Sequence, residues 1–380
     1  MKKHIYFDYA AATPLDDGVF AEMQPYLKDQ FYNPSATYQP AKDVRAALEQ
    51  ARSRISHWLG CRSNEFIFTA GGTEANNLAV YGIMEQYPGS NCIVSAVEHD
   101  AVLHPAERYN QRILPVDNTG RVRVDQLERL QDDDTVLVSV MYANNEIGTI
   151  QPIRELTKQV EKIRADRKTR GIKTPLYVHT DACQAPNYLD LHVARLGVDM
   201  MTINGGKIYG PKQSGGLYVR RDMVLKPLIV GGGQERNQRS GTENIAQSVG
   251  LAAALDLVQE KRQAETNRMQ ALQDKFIGLL EEHLPDVVIN GSRKHRLANN
   301  VHVTIPGGSN EVVLLKLEQS GVLAAAGSAC SADDTTKPSH VLQAIGLSDQ
   351  EAQASVRFSM GASTTEADVD RAVNVLAQVA

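Results

Sequence analysis

Two neighbouring stretches, Tyr177-Val-His-Thr-Asp181-Ala-Cys183-Gln184 and Thr202-Ile-Asn-Gly-Gly-Lys207-Ile-Tyr-Gly-Pro-Lys212, decide the fold. Each starts as a short β-favouring run and ends on a reactive group: an acid in the first, a lysine behind two glycines in the second. They lie 26 residues apart (207 − 181), about one αβ unit. The same texture extends outward. Strand-like runs fall at 65–69, 92–97, 112–116, 135–142, 176–180, 198–203 and 216–219. Several are apolar nearly throughout, as strands buried on both faces are. Helical spacing fills the gaps at 41–59, 74–84, 124–130, 152–164 and 187–196. Alternating β and α predicts an α/β fold with a mainly parallel sheet covered by helices.

A long charged helix is predicted from 243 to about 283, with Ile245, Val249, Leu251, Ala252, Leu255 and Val258 on one face. Beyond it the texture becomes α+β. Strands are expected at 287–289, 301–305 and 355–359, and helices at 310–319, 339–345 and 366–377. This predicts a large domain over 15–260 and a smaller one from 1–14 and 261–380. A chain of 380 residues suits about two domains.

The bulk numbers exclude several classes. A net charge of −5 gives no general surface for nucleic acid or membrane. Asp8 interrupts the N-terminal apolar patch too early for a signal segment, and no run approaches a membrane span. Cys61, Cys92, Cys183 and Cys330 are widely spaced without zinc-type partners, so no metal site is expected and a reducing, cytoplasmic setting fits.

Three places could carry chemistry. In Phe66-Ile-Phe-Thr-Ala-Gly71-Gly72-Thr73-Glu74 a strand runs through glycines into a helix, whose open amides suit a phosphate; an ordinary turn capped by Thr73 reads equally. Asp181 at a strand end is a ligand-side acid or a structural cap. Lys207 alone is a solvated turn lysine. Together they are the parts pyridoxal phosphate needs: a phosphate cradle, an acid for the ring nitrogen and an amine for the aldehyde.

Further motifs extend the set: Tyr6-Phe-Asp-Tyr-Ala10, Asn33-Pro-Ser35, Glu98-His99, Asn144-Asn145-Glu-Ile-Gly148, Arg239-Ser-Gly-Thr242, Gly327-Ser-Ala-Cys330 and Arg357-Phe-Ser. With them the chain resembles the cysteine desulfurases of the NifS/IscS type, in the fold-type I, class V aminotransferase group, over essentially its whole length. The resemblance implies pyridoxal phosphate bonded to Lys207, with Asp181 on its ring nitrogen and Gln184 on its ring hydroxyl. It implies His99 stacked on the ring and assisting proton transfers, Asn145 near the ring hydroxyl and substrate, and Gly72 and Thr73 on the phosphate. Thr242 would reach the phosphate of the neighbouring subunit of a homodimer. Asn33 and Arg357 would hold the carboxylate of L-cysteine. Cys330 would take the substrate sulfur as a persulfide, leaving L-alanine, and pass it to an acceptor protein.

Plainer readings of these motifs are a helix cap for His99, a surface strand residue for Arg357 and a turn former for Asn145. Cys61, Cys92 and Cys183 match no catalytic position, and Cys92 and Cys183 read as core residues.

The chain departs from the family pattern before the lysine. Asn204, Gly205 and Gly206 stand where a serine, a glycine and a histidine are usual, and the serine and histidine normally help bind phosphate. Asn204 replaces part of that contact, so weaker cofactor retention is expected. Tyr38 replaces a common histidine. The chain ends soon after its last helix, without the extension some members use to dock an iron–sulfur scaffold. An acceptor in tRNA thiolation or DNA phosphorothioation is therefore expected beside iron–sulfur cluster assembly.

The small residues around Cys330 predict an uncovered thiol in a mobile loop at about 327–338, with Pro338 and Ser339 opening the next helix. Asp333 and Asp334 would oppose thiolate formation if close. The rival readings are a selenocysteine lyase or another class V pyridoxal-phosphate enzyme, and a non-catalytic partner-binding homologue.

Overall fold

The computed structural model describes residues 4–327 and 338–379. Its strands, in chain order, are β1 (Ile5–Tyr6), β2 (Phe66–Thr69), β3 (Asn91–Ser95), β4 (Asn110–Leu114), β5 (Thr135–Ser139), β6 (Tyr177–Asp181), β7 (Met200–Asn204), β8 (Gly215–Val219), β9 (Val288–Ile289), β10 (Asn300–Thr304), β11 (Val322–Leu323) and β12 (Ser355–Ser359). β2 to β8 form one sheet in the order β2-β8-β7-β6-β5-β3-β4. All its strands run one way except β8, which is antiparallel to both β2 and β7. The connection from Asn204 to Gly215 is too short for a crossover helix, so the chain must return antiparallel. Lys207 sits on that return, beside the carboxyl ends of the parallel strands.

Both faces of the sheet are covered, and successive residues feed opposite sides. Ile93 packs on the face that holds Leu48, Ile55, Leu251 and Leu255. Cys92 and Val94 pack on the other with Leu78, Ile83 and Leu217. This two-sided burial is why the strands read as unbroken apolar runs.

Helix Ile245–His283 links this core to a second. Its first half buries Leu251, Leu255 and Val258 against the large sheet. Its second half buries Met269, Leu272, Phe276 and Leu280 against β10, β12 and helix Glu366–Val379. β12-β10-β9 is an antiparallel sheet, and β1 pairs in parallel with β11.

The sequence reading misplaces some elements. A helix was expected at 187–196, but only Val193–Leu196 is helical. Pro186 opens the segment, and Asn187 donates its side-chain amide to the Lys207 carbonyl at 2.9 Å instead of facing solvent on a helix. Residues 124–130 begin as a 3₁₀ turn before the helix Leu127–Leu130. Helices Asp17–Lys28 and Asp100–Glu107 were missed, each carrying a proline near its end. Ser339 caps helix His340–Ala344, as expected for the start of that helix. Among the described residues no helix is long and apolar enough to cross a membrane.

Candidate functional site

A cavity opens at the carboxyl ends of β6 and β7. Ala10, Gly72, Thr73, Asn76, His99, Asn145, Asp181, Gln184, Asn204, Lys207 and Arg357 line it. The structure thus brings together almost every residue singled out in the sequence, from positions 10 to 357.

Helix Gly72–Met84 forms one wall. Its cap, Gly71, has φ +130, a conformation that favours glycine, and its first turn has no side-chain cap. A Cβ at Gly72 would lie 2.7 Å from Cys183 Sγ and 3.4 Å from Asn204 Nδ2, so only glycine lets these walls close. Uncapped amides at a helix start, with a carboxamide beside them, suit an anion.

Asp181, 5% exposed at the end of β6, accepts the Cys183 amide at 2.9 Å on Oδ1 and Asn76 Nδ2 at 2.6 Å on Oδ2. Lys207 Nζ donates to the carbonyls of Ala10 at 2.9 Å and Ala11 at 2.5 Å. Gln184 Nε2 donates to the same Ala10 carbonyl. His99 caps helix Asp100–Glu107 by accepting the Ala101 amide on Nδ1 at 3.0 Å. Neutral His99 therefore carries its proton on Nε2. The plainer reading and the functional one are compatible, because the capping histidine also lines the cavity.

Arg357 is 1% exposed on β12, so it is no surface strand residue. Its Nη1 donates to the Asn145 carbonyl at 2.9 Å and its Nη2 to Asp8 Oδ1 at 2.6 Å. Its Nε is buried without a partner among the described residues. A guanidinium that lines a cavity suits a carboxylate ligand.

Two predicted residues stand apart from this cavity. Asn33 lies on an exposed loop, where Oδ1 accepts the Ser35 amide. Thr242 is exposed and lines a second cavity with Gln213, Arg239 and Asn244.

Burial pushes the Cys61 thiol up to about 11 and the Cys92 thiol up to about 12. It raises Cys183 well above the usual thiol range, and the Asp181 charge adds to this. All three stay protonated at neutral pH and are poor nucleophiles. Cys330, the expected loop mobility and the Asp333-Asp334 run lie outside the described residues. Both flanks of that segment are tied to a residue of the cavity wall or to the chain neighbour of one. Ala325 pairs with Arg357, Ser339 Oγ donates to Glu146 Oε2 at 2.6 Å, and His340 Nε2 donates to the Glu98 carbonyl at 2.9 Å.

Sequence reasoning gave no role to Asn76, Asp8 or Glu98, although Asp8 and Glu98 lie inside quoted motifs and Asn76 two residues beyond one. Glu98 is fully buried; Oε1 accepts the Met141 amide, and Oε2 has no partner among the described residues. Burial holds its carboxyl well above the ordinary range, with the nearby Asp181 charge adding to the rise.

Comparison with known proteins agrees with this geometry. The class-V aminotransferase family model matches residues 5–372. Cysteine desulfurase IscS of Dictyoglomus turgidum is 41% identical over 386 residues, covering 100% of this chain and 95% of the relative. Its counterpart from Clostridium botulinum is 38% identical, with the same coverage. A solved NifS-like protein superposes with a TM-score of 0.90 at 30% identity, covering 99% of both chains. A structure of SspA in complex with cysteine superposes with a TM-score of 0.80 at 33% identity, covering 94% of this chain and 98% of that one.

Proposed function

Because the chain belongs to the class-V aminotransferase family, and within it to the cysteine desulfurases, we propose that this cavity holds pyridoxal phosphate and that its residues take the roles set out next. Enzymes of this family are generally pyridoxal-phosphate dependent, act on cysteine and pass its sulfur to acceptor proteins. The observation that carries the cofactor assignment is the joint placement of Lys207, Asp181 and the uncapped helix start at Gly72 in one cavity. The fit is chemical as well as spatial: open amides for a phosphate, a carboxylate for a ring nitrogen and a lysine amine for an aldehyde.

When bound, the cofactor supplies an electron sink for the bonds broken at the substrate's Cα and Cβ. The protein supplies the rest. Gly72, Thr73 and Asn204 hold the phosphate. Asp181 keeps a proton on the ring nitrogen. Gln184 and Asn145 serve the ring hydroxyl, and His99 lies against the ring with its proton on Nε2. Lys207 Nζ moves the proton from the substrate Cα. Arg357, with Asn33 brought in from its loop, binds the substrate carboxylate. Cys330 takes the sulfur as a persulfide. The three described thiols are all held protonated, which favours Cys330 as the acceptor of sulfur.

The enzyme works as a homodimer in which Thr242 completes the neighbouring site; its exposure away from its own Lys207 cavity supports this. The domain boundary falls within helix Ile245–His283, giving 15–260 and 1–14 with 261–380, a division supported by the two cores that helix joins. The setting is cytoplasmic. The acceptor is a protein of iron–sulfur cluster assembly, tRNA thiolation or DNA phosphorothioation, which a tagged pull-down separates.

One assay tests the reading. Purified protein given L-cysteine should release alanine and carry a persulfide on Cys330. Cys330→Ser should keep the cofactor's visible absorption and lose sulfur transfer. Colourless protein that makes no alanine would overturn the assignment.

A further inference from the structure

Asp181 is gripped from two directions, and only one grip is local. The Cys183 amide on Oδ1 closes a turn within Asp181's own loop. Asn76 Nδ2 on Oδ2 comes from helix Gly72–Met84, 105 residues away in the chain. Asn76 is 1% exposed and lines the cavity one helical turn beyond Gly72. A carboxylate only accepts hydrogen bonds, so the carboxamide must turn its NH₂ towards Asp181. That leaves Asn76 Oδ1 buried and without a partner among the described residues.

We infer that Asn76 is a positioning residue for Asp181. Through it, one rigid helix sets the distance between the phosphate cradle at its first turn and the acid that meets the ring nitrogen. The inference rests on the reading that the cavity takes pyridoxal phosphate. Its logic is mechanical. Gly72 and Asn76 belong to the same hydrogen-bonded helix, so their separation cannot vary, and the 2.6 Å bond carries that constraint across to the end of β6. Among the described residues, the other titratable or charged groups around Asp181 and its cavity are Glu98 after β3, His99 beside it, His179 on β6 itself, Cys183 in the following turn, Lys207 after β7 and Arg357 on β12.

The test uses Asn76→Ala and the near-isosteric Asn76→Asp in the full-length protein. Three quantities are read: pyridoxal phosphate affinity by titration of cofactor-free protein, the pH midpoint of the visible band of the loaded protein, and the thermal midpoint of the cofactor-free protein. Asn76→Ala should weaken cofactor binding about tenfold, as loss of a hydrogen bond to a charged group does. It should also move the pH midpoint, while the cofactor-free thermal midpoint falls modestly because the buried Asp181 loses a partner there too. Asn76→Asp removes the donor and places a second acid against Asp181, so the pH midpoint should move further.

Wild-type affinity and an unmoved pH midpoint in Asn76→Ala would overturn the inference. So would a lowered cofactor-free thermal midpoint with an unmoved pH midpoint, which would make Asn76 merely structural. If Asn76→Ala fails to fold, Asn76→Asp decides, and an unmoved midpoint in it overturns the inference. Wild-type protein that gives no visible band with pyridoxal phosphate overturns the cofactor reading itself, a result independent of both variants.

Discussion

At one end of the cavity, Asp181 is buried and fastened by a backbone amide and by Asn76 from another element. At the other end, the first turn of helix Gly72–Met84 opens without a side-chain cap, and Asn204, which Gly205 and Gly206 follow in the chain, stands beside it. The proposed ring end is braced by side chains; the proposed phosphate end offers main-chain amides, the Thr73 side chain and one carboxamide. Asn204 is itself partly engaged, since its Oδ1 accepts the Gly206 amide at 3.1 Å. The difference teaches that orientation and retention of a cofactor are separable tasks. Orientation at the ring needs charge held at a set angle, whereas a helix start binds phosphate with little help from side-chain identity. On the proposed reading, a chain can lose phosphate ligands and keep its chemistry.

The comparison breaks most sharply at Asp181. Asp181→Ala should lower alanine formation on the order of 10³-fold, since it removes a preorganised charge at the reacting ring. Activity within tenfold of wild type, measured with saturating cofactor, would show that the ring end is not the orienting one. The phosphate end gives a smaller effect of opposite sign. A Cβ at Gly206 would meet nothing closer than 3.6 Å, so the first atom of a side chain is admitted there. Gly206→His should slow cofactor loss on dialysis about tenfold, the worth of one charge-assisted hydrogen bond. Unchanged loss, with full occupancy in both proteins, would remove the asymmetry between the two ends.

The smallest effect concerns Glu98, whose buried carboxyl neighbours Asp181. Folded, it keeps its proton to a higher pH than in the unfolded chain, where a carboxyl titrates near 4.5. The folded state therefore binds the extra proton, so stability is full below that pH and falls as pH rises. Glu98→Gln keeps an acceptor for the Met141 amide and removes the titration. Its thermal midpoint should match wild type at about pH 4 and exceed it at about pH 8. Equal midpoints at both would mean that Glu98 does not sense burial or the Asp181 charge.

Much of this architecture was legible beforehand. The apolar strands and the 3.6-residue spacing of long helices follow from burial, and both survive translation into the structure with shifts of a few residues at their ends. What failed were short elements with a proline, such as Asp17–Lys28 and Asp100–Glu107, because proline counts against a helix locally while packing and a good cap decide for it. Residues 187–196 failed in the other direction, where a tertiary hydrogen bond from Asn187 outweighed helical spacing. Within the site, Lys207, Asp181 and Gly72 could be named because each sits at a strand end or helix start that the pattern itself marks. Asn76 could not. It reads as one more polar residue on a helix until β6 is laid beside it.

By itself, then, the order of residues determined the α/β class, the reactive groups and, through the length of the turn after Asn204, the reversal of β8. Local periodicity and connection length carry that information. The tertiary structure decided which groups meet: Asn76 with Asp181, Arg357 with Asp8 and Asn145, and His340 with the Glu98 carbonyl. Such contacts depend on strand order and on how two cores dock along one helix. No local pattern encodes either, because the free energy that selects them comes from burial shared across the whole molecule.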